Sequence, residues 1–123
     1  MIGVEKLYSG KAYSLMALTV SDKCLVKDFI EKLNEPEKKK ILRLLTRTAD
    51  NGLYTNEEKF RKIKGEDIWE FKSYQVRIFC CFEKGKIIIL SHGFVKKSAK
   101  TPVNQIEKAK KLLKEYQHWR ERR

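Results

Sequence analysis

This chain of 123 residues has little of what most constrains a backbone: two prolines, six glycines and three cysteines. So little proline and glycine excludes a collagen-like or low-complexity chain. The few breaks, at Pro36, Gly52, Gly85 and Pro102, therefore read as punctuation between elements. An odd set of cysteines, Cys24, Cys80 and Cys81, with no metal-ligand spacing, excludes a disulfide scaffold and a cysteine-bound zinc site. Free, buried thiols in a reducing cytoplasm are the expected state. No apolar run approaches the ~20 residues of a membrane span, and the short patch at 13–20 follows no signal-peptide leader. Missing too are HExxH, a glycine-rich phosphate loop, an acidic cluster for a metal and the local signature of a serine triad. Any catalysis is thus expected to need no metal or cofactor and to rest on Lys, Arg, His or Tyr.

Positive charge is what the chain has in excess. Lys and Arg number 28 against 16 Asp and Glu, a net charge of +12. The surplus is +3 over residues 1–50, +5 over 51–100 and +4 over 101–123, so it lies mainly in the second part of the chain. A surplus of this size points to a polyanionic partner such as nucleic acid. The apolar fraction of 41% is that of a globular protein with a real core, and the length suits one domain.

The pattern along the chain is α+β. Residues 1–11 read as an arm or short strand, and 12–20 alternate weakly as a strand. Ser21 and Asp22 offer an N-cap to a helix whose apolar face is Leu25, Phe29 and Leu33. Pro36 stops that helix and suits the first turn of the next. Ile41, Leu44, Leu45 and Ala49 form the inward stripe of the second helix, and Asn51 and Gly52 end it. The run Lys38, Lys39 and Lys40 lies outside that stripe and reads as a solvated face. Three strands follow, over 68–72, 74–82 and 86–94, with a tight turn at Gly85. Thr101 and Pro102 cap a last helix, and 117–123 read as a frayed basic tail. The expected architecture is an N-terminal helix hairpin, a twisted antiparallel sheet of three to four strands and a closing helix, in a single domain over 1–123.

Strand periodicity places the charges. Ile68, Glu70 and Lys72 share one side of their strand. Gln75, Arg77, Phe79 and Cys81 oppose the apolar set Val76, Ile78, Cys80 and Phe82. Arg77 stands mid-strand, where an unpaired charge is costly. It has two readings: a structural ion pair with Glu70 or Asp67, or a clamp for a phosphate. His92 falls in a set with Ile88, Leu90 and Phe94 and reads first as a core or rim residue. Lys96 and Lys97 leave that strand together.

The segments Ile63-Lys64-Gly65, Trp69-Glu70-Phe71-Lys72, Tyr74 to Arg77, His92 to Lys97 and Thr101 to Ile106, in this order and spacing, resemble the RelE/ParE toxin superfamily. Within it they are most similar to the HigB-like, phage-derived host-killing branch. The resemblance implies the toxin of a type II toxin–antitoxin pair, a cytoplasmic protein neutralised by a helix-turn-helix antitoxin. Many members cleave mRNA on the translating ribosome without a metal. ParE-type relatives instead inhibit DNA gyrase, and a plain basic nucleic-acid-binding module is a third reading that the charge alone allows. By position, Arg77 corresponds to the phosphate clamp of RNA-cleaving members, Lys72 to the basic residue of the preceding strand, and Lys96, with Lys97 beside it, to the cation at the last strand's end. Arg61, Lys62 and Lys64 are expected to bind RNA phosphates, with Glu70 and His92 as accessory groups. Glu70 stands where well-known RNA-cleaving members carry a second basic residue, so it is either a base or the partner of Arg77.

Overall fold

Strands from before and after a helix pair join in one sheet. The structure, a computed structural model, describes residues 1–122. Strands β1 (Ile2–Ser9) and β2 (Ser14–Val20) form an antiparallel hairpin, and the two-residue β3 (Lys23–Cys24) pairs back onto β2. Helices α1 (Leu25–Glu31) and α2 (Glu35–Asn51) follow. Next come β4 (Phe60–Lys62), β5 (Trp69–Ser73), β6 (Val76–Glu83) and β7 (Ile87–Val95), then α3 (Val103–Glu121). The sheet order is β1-β2-β7-β6-β5-β4, with β3 beside β2. All pairs are antiparallel except β2 with β7, which run parallel from Ser14↔Ile87 to Ala17↔Leu90.

This corrects the expected architecture. The sheet is mixed and has seven strands rather than three or four, and a strand hairpin, not a helix hairpin, begins the fold. The physical reason is the β2–β7 pairing. Parallel partners need a crossover and carry no turn signal between them, and here the whole helix pair and four of the seven strands intervene. The first helix also starts later than its sequence suggests. Ser21 and Asp22, at φ 50° and 68°, make the tight turn after β2, and Cys24 stands at the N-cap of α1. The second helix has the expected ends. Asn34 Oδ1 accepts the Glu37 N–H at 2.9 Å, Pro36 sits in the first turn, and Gly52 stops the helix at φ 103°. Helix α3 runs on to Glu121, through most of the segment expected to fray; Arg123 lies outside the described residues.

The sheet is buried on both faces. Alternate residues Phe71, Val76, Ile78, Cys80, Ile88 and Leu90 meet Val26, Ile30, Ile41, Leu44 and Leu45 beneath α1 and α2. Their neighbours Ile68, Phe79, Ile89 and Phe94 meet Ala109, Leu113 and Tyr116 of α3. Each fully buried Leu, Ile or Phe contributes about 1.5–3 kcal/mol, so this two-layered core fixes which way every strand residue points. Cys80 and Cys81 accordingly lie in opposite layers, and all three cysteines are free. Burial pushes the Cys81 thiol up to about 12 and raises those of Cys24 and Cys80, which keeps them protonated and unreactive.

One irregularity matters for the site. Ile78 pairs with Gly93 but Cys80 pairs with Leu90, so Phe79 faces one residue too many on β7. This β-bulge flips the alternation of β7. His92 and Phe94 therefore lie on the α3 face, away from Ile88 and Leu90, with which uninterrupted periodicity groups them. Among the described residues, no helix is long and apolar enough to cross a membrane.

Candidate basic site

The β5–β6 hairpin brings the central residues together. Lys72 lies directly across from Arg77, and Arg77 directly across from Phe94 of β7, so all three project on the α3 face. On the other side of β5, Arg61 of β4 lies across from Glu70. Beyond the bulge, the Lys96 N–H donates to the Gln75 carbonyl at 2.7 Å, which brings Lys96 alongside the same hairpin end. Arg61, Glu70, Lys72, Arg77 and Lys96 thus come from four different segments to one patch.

Glu70 organises it. Its side chain is fully buried, and Oε1 accepts from Arg61 Nε at 2.8 Å, with Arg77 Nε 3.9 Å away. Arg77, only 7% exposed, turns its Nη1 back to donate to the carbonyls of Tyr74 and Val76. The ion pair with Glu70 exists, yet it is long, and among the described residues neither Glu70 Oε2 nor Arg77 Nε, both buried, has a hydrogen-bond partner. Burial lowers the Arg77 pKa and Glu70 raises it.

Lys72 is the more accessible group. Its Nζ donates to the Glu57 carbonyl at 3.2 Å. Burial, then the charges of Arg61 and Arg77, push its pKa below the usual lysine value, with Lys96 adding to the push and Glu70 opposing it. An amine so crowded by cations gives up its proton more readily and attracts an anion more strongly. Lys96 is 9% exposed.

The remaining expected residues stand apart. Lys97 is exposed beyond the end of β7. Lys62 lies across from Trp69, on the face opposite Arg61, and Lys64 is exposed in the turn before Gly65. His92 is 2% exposed and satisfied: Nε2 meets Gln105 Oε1 at 2.9 Å and Nδ1 meets Ser91 Oγ at 3.2 Å. Burial lowers its pKa. It ties β7 to α3 and stacks edge-on with Phe79. Asp67 is exposed, and its carboxylate pairs with no cation among the described residues.

Sequence reasoning missed a wall of this site. A cleft of about 670 Å³ opens between α2 and the β5–β6 hairpin, lined by Lys40, Arg43, Arg47, Lys59, Lys72 and Arg77 and by one acid, Glu58. Lys40, read from the sequence as solvated, holds its ammonium 4.1 Å from the centre of the Tyr74 ring. The recoverable signal was spacing. Positions 40, 43 and 47 form one helical stripe of cations beside the buried stripe of Ile41, Leu44 and Leu45. Tyr74 was missed for a different reason. It has φ 56°, in a left-handed conformation that costs a bulky residue roughly 1–2 kcal/mol. Glycine or asparagine is the usual choice there.

Among the described residues, no three His, Cys, Asp or Glu side chains gather to hold a metal ion. No curated protein matches the chain. Residues 28–114 match the family described as phage-derived protein Gp49-like. That match runs from within α1 to within α3, takes in the whole hairpin patch and most of the chain, and so the protein belongs to the phage-derived Gp49-like family.

Proposed function

We propose that this protein is the toxin of a type II toxin–antitoxin pair, a HigB-like member of the RelE/ParE superfamily that cleaves mRNA on the ribosome without a metal. Its antitoxin would be a helix-turn-helix protein, and its place the cytoplasm. The Gp49-like family is a toxin–antitoxin-associated, RelE-like family, which supports the first part. The observation that carries the second is the convergence of Lys72, Arg77 and Lys96 around buried Glu70.

The chemistry required is modest. A base takes the proton of a ribose 2′-hydroxyl, whose oxygen attacks the adjacent phosphorus. The P–O5′ bond breaks, leaving a 2′,3′-cyclic phosphate, and the departing 5′-oxygen takes up a proton. Lys72 in its neutral form accepts the first proton, a role its lowered pKa favours. Arg77 stabilises the doubly charged phosphorane from a position fixed by two backbone carbonyls. Lys96 supplies the second proton. Glu70 is then a positioning residue, holding Arg61 and Arg77 at the sheet.

Induced expression in bacteria should arrest growth and leave mRNAs with new 5′ ends mappable by primer extension. Lys72→Met and Arg77→Ala, checked for folding by circular dichroism, should abolish both. A soluble Arg77→Ala protein that still cleaves mRNA would sink the site assignment. Arrest with intact mRNA and broken DNA would replace the nuclease reading with gyrase inhibition.

A further inference from the structure

The cleft beside the hairpin asks for an occupant that the cleavage chemistry does not explain. Lys40, Arg43 and Arg47 line one stripe of α2, all exposed, and none has a carboxylate within ion-pair distance among the described residues. Unpaired cations side by side repel one another, an arrangement that an anion relieves. At the rim stands Tyr74, 75% exposed, with its backbone in the left-handed region and its ring met by Lys40. A turn that needed only its geometry would be served better by glycine or asparagine. An exposed aromatic at such a position, among cations, has the properties of a stacking surface.

We infer that the cleft between α2 and the β5–β6 hairpin binds single-stranded RNA, with one base stacked on Tyr74 and adjacent phosphates held by Arg43 and Arg47. A duplex presents its phosphates but keeps its bases stacked within, so the tyrosine selects the single strand. Lys72 and Arg77 are among the residues that line the cleft, so a strand held there passes beside them. The inference rests on the proposed RNA substrate for its biological setting, yet the binding itself is independent of cleavage. The Lys40 ammonium over the ring also orients the platform before RNA arrives.

The test uses the whole chain, in the presence of a chelator and without ribosomes. Fluorescence anisotropy of a labelled single-stranded RNA of about 12 nucleotides, well within the reach of small single-strand grooves, is measured across a salt series. Tyr74→Asn suits the left-handed backbone and should fold at least as stably as the parent. It should nevertheless weaken RNA binding about 5- to 150-fold with no change in salt slope, while Tyr74→Phe should bind like the parent. The double variant Arg43→Gln, Arg47→Gln should reduce the slope of log K against log salt by about 1.4. An RNA duplex of the same length should bind more weakly than the single strand and be indifferent to Tyr74→Asn. Parental affinity in both Tyr74→Asn and the arginine double variant overturns the inference. So does a duplex bound as tightly as the single strand with Tyr74→Asn without effect. If the variants lose affinity for a polyglutamate peptide but not for RNA, the cleft serves an acidic protein and the inference also falls. Intact mRNA in growth-arrested cells counts against the nuclease reading alone, because the binding assay requires no cleavage.

Discussion

Glu70 is the residue on which the patch depends. It is a fully buried carboxylate flanked by two guanidinium groups, one buried and one part-exposed. Removing one charge from a buried pair leaves the other uncompensated and costs about 3–5 kcal/mol. Glu70→Gln should therefore lose about 3 kcal/mol in urea unfolding, near the lower end because Arg61 remains partly solvated. Arg61→Met should cost about 1–3 kcal/mol, because it removes the 2.8 Å hydrogen bond that the fully buried Glu70 carboxylate accepts and leaves only Arg77, 3.9 Å away. Adding Arg77→Met to Glu70→Gln should recover most of the loss, because the orphaned charge goes with it. A Glu70→Gln protein as stable as the parent would show that Arg77 is held by its backbone carbonyls alone. Arg77 and Glu70 were legible in the sequence because a charged residue in mid-strand is conspicuous against an alternating apolar pattern. Tyr74 was not, since its meaning lies in a positive φ that no residue type announces.

Elements decide which residues meet, and the bulge in β7 is the clearest instance. It moves His92 under α3, against Phe79 and Gln105, and aligns Lys96 with the hairpin end. A single unpaired residue inverts every later side chain, and a periodicity argument cannot locate it. The helices and the β5–β6–β7 meander were readable from local signals: apolar stripes, Pro36, Gly52 and the tight turn at Gly85. The β2–β7 pairing was not, because it joins segments with no shared local pattern. Two predictions belong here. Burial keeps the His92 pKa below its ordinary 6.5, so the unfolded chain binds this proton more readily than the folded one. The contribution of His92 to stability is whole above pH 6.5 and declines as pH falls below it toward the folded value. His92→Gln should flatten the loss of Tm between neutral and mildly acidic pH. The second concerns Gly93, where a methyl group would lie 2.3 Å from the Phe29 ring of α1. Gly93→Ala should cost about 1–3 kcal/mol through overpacking. Phe29→Leu should restore part of that loss, so a double-mutant cycle should show a favourable coupling. Additive losses would place the strain elsewhere.

The whole molecule carries +12 on a compact domain, and the distribution of pairing makes this charge consequential. Carboxylates are engaged at Glu5, Glu35, Glu66, Glu70, Glu83 and Glu107. Among the described residues, the cleft stripe of Lys40, Arg43 and Arg47 has none. Self-repulsion opposes the compact state, while surface ion pairs add little to it. Salt should therefore screen more repulsion than attraction. The free protein should gain Tm, by several degrees, as NaCl rises from about 0.02 M to about 0.2 M, where the Debye length falls below ~10 Å. Bound polyanion should have the opposite salt dependence. A single-stranded RNA at 100 times its Kd adds about 2.7 kcal/mol to stability, and that gain should shrink over the same range because the affinity itself falls with salt. The two curves should then converge: at low salt RNA raises Tm strongly, and at high salt it raises it little above an already stabilised protein. Differential scanning fluorimetry with and without the RNA measures both together. A free-protein Tm that falls with salt would mean that paired carboxylates, not unpaired cations, dominate the energetics. In that case the cationic wall of α2 would be a solvated surface rather than a site awaiting an anion.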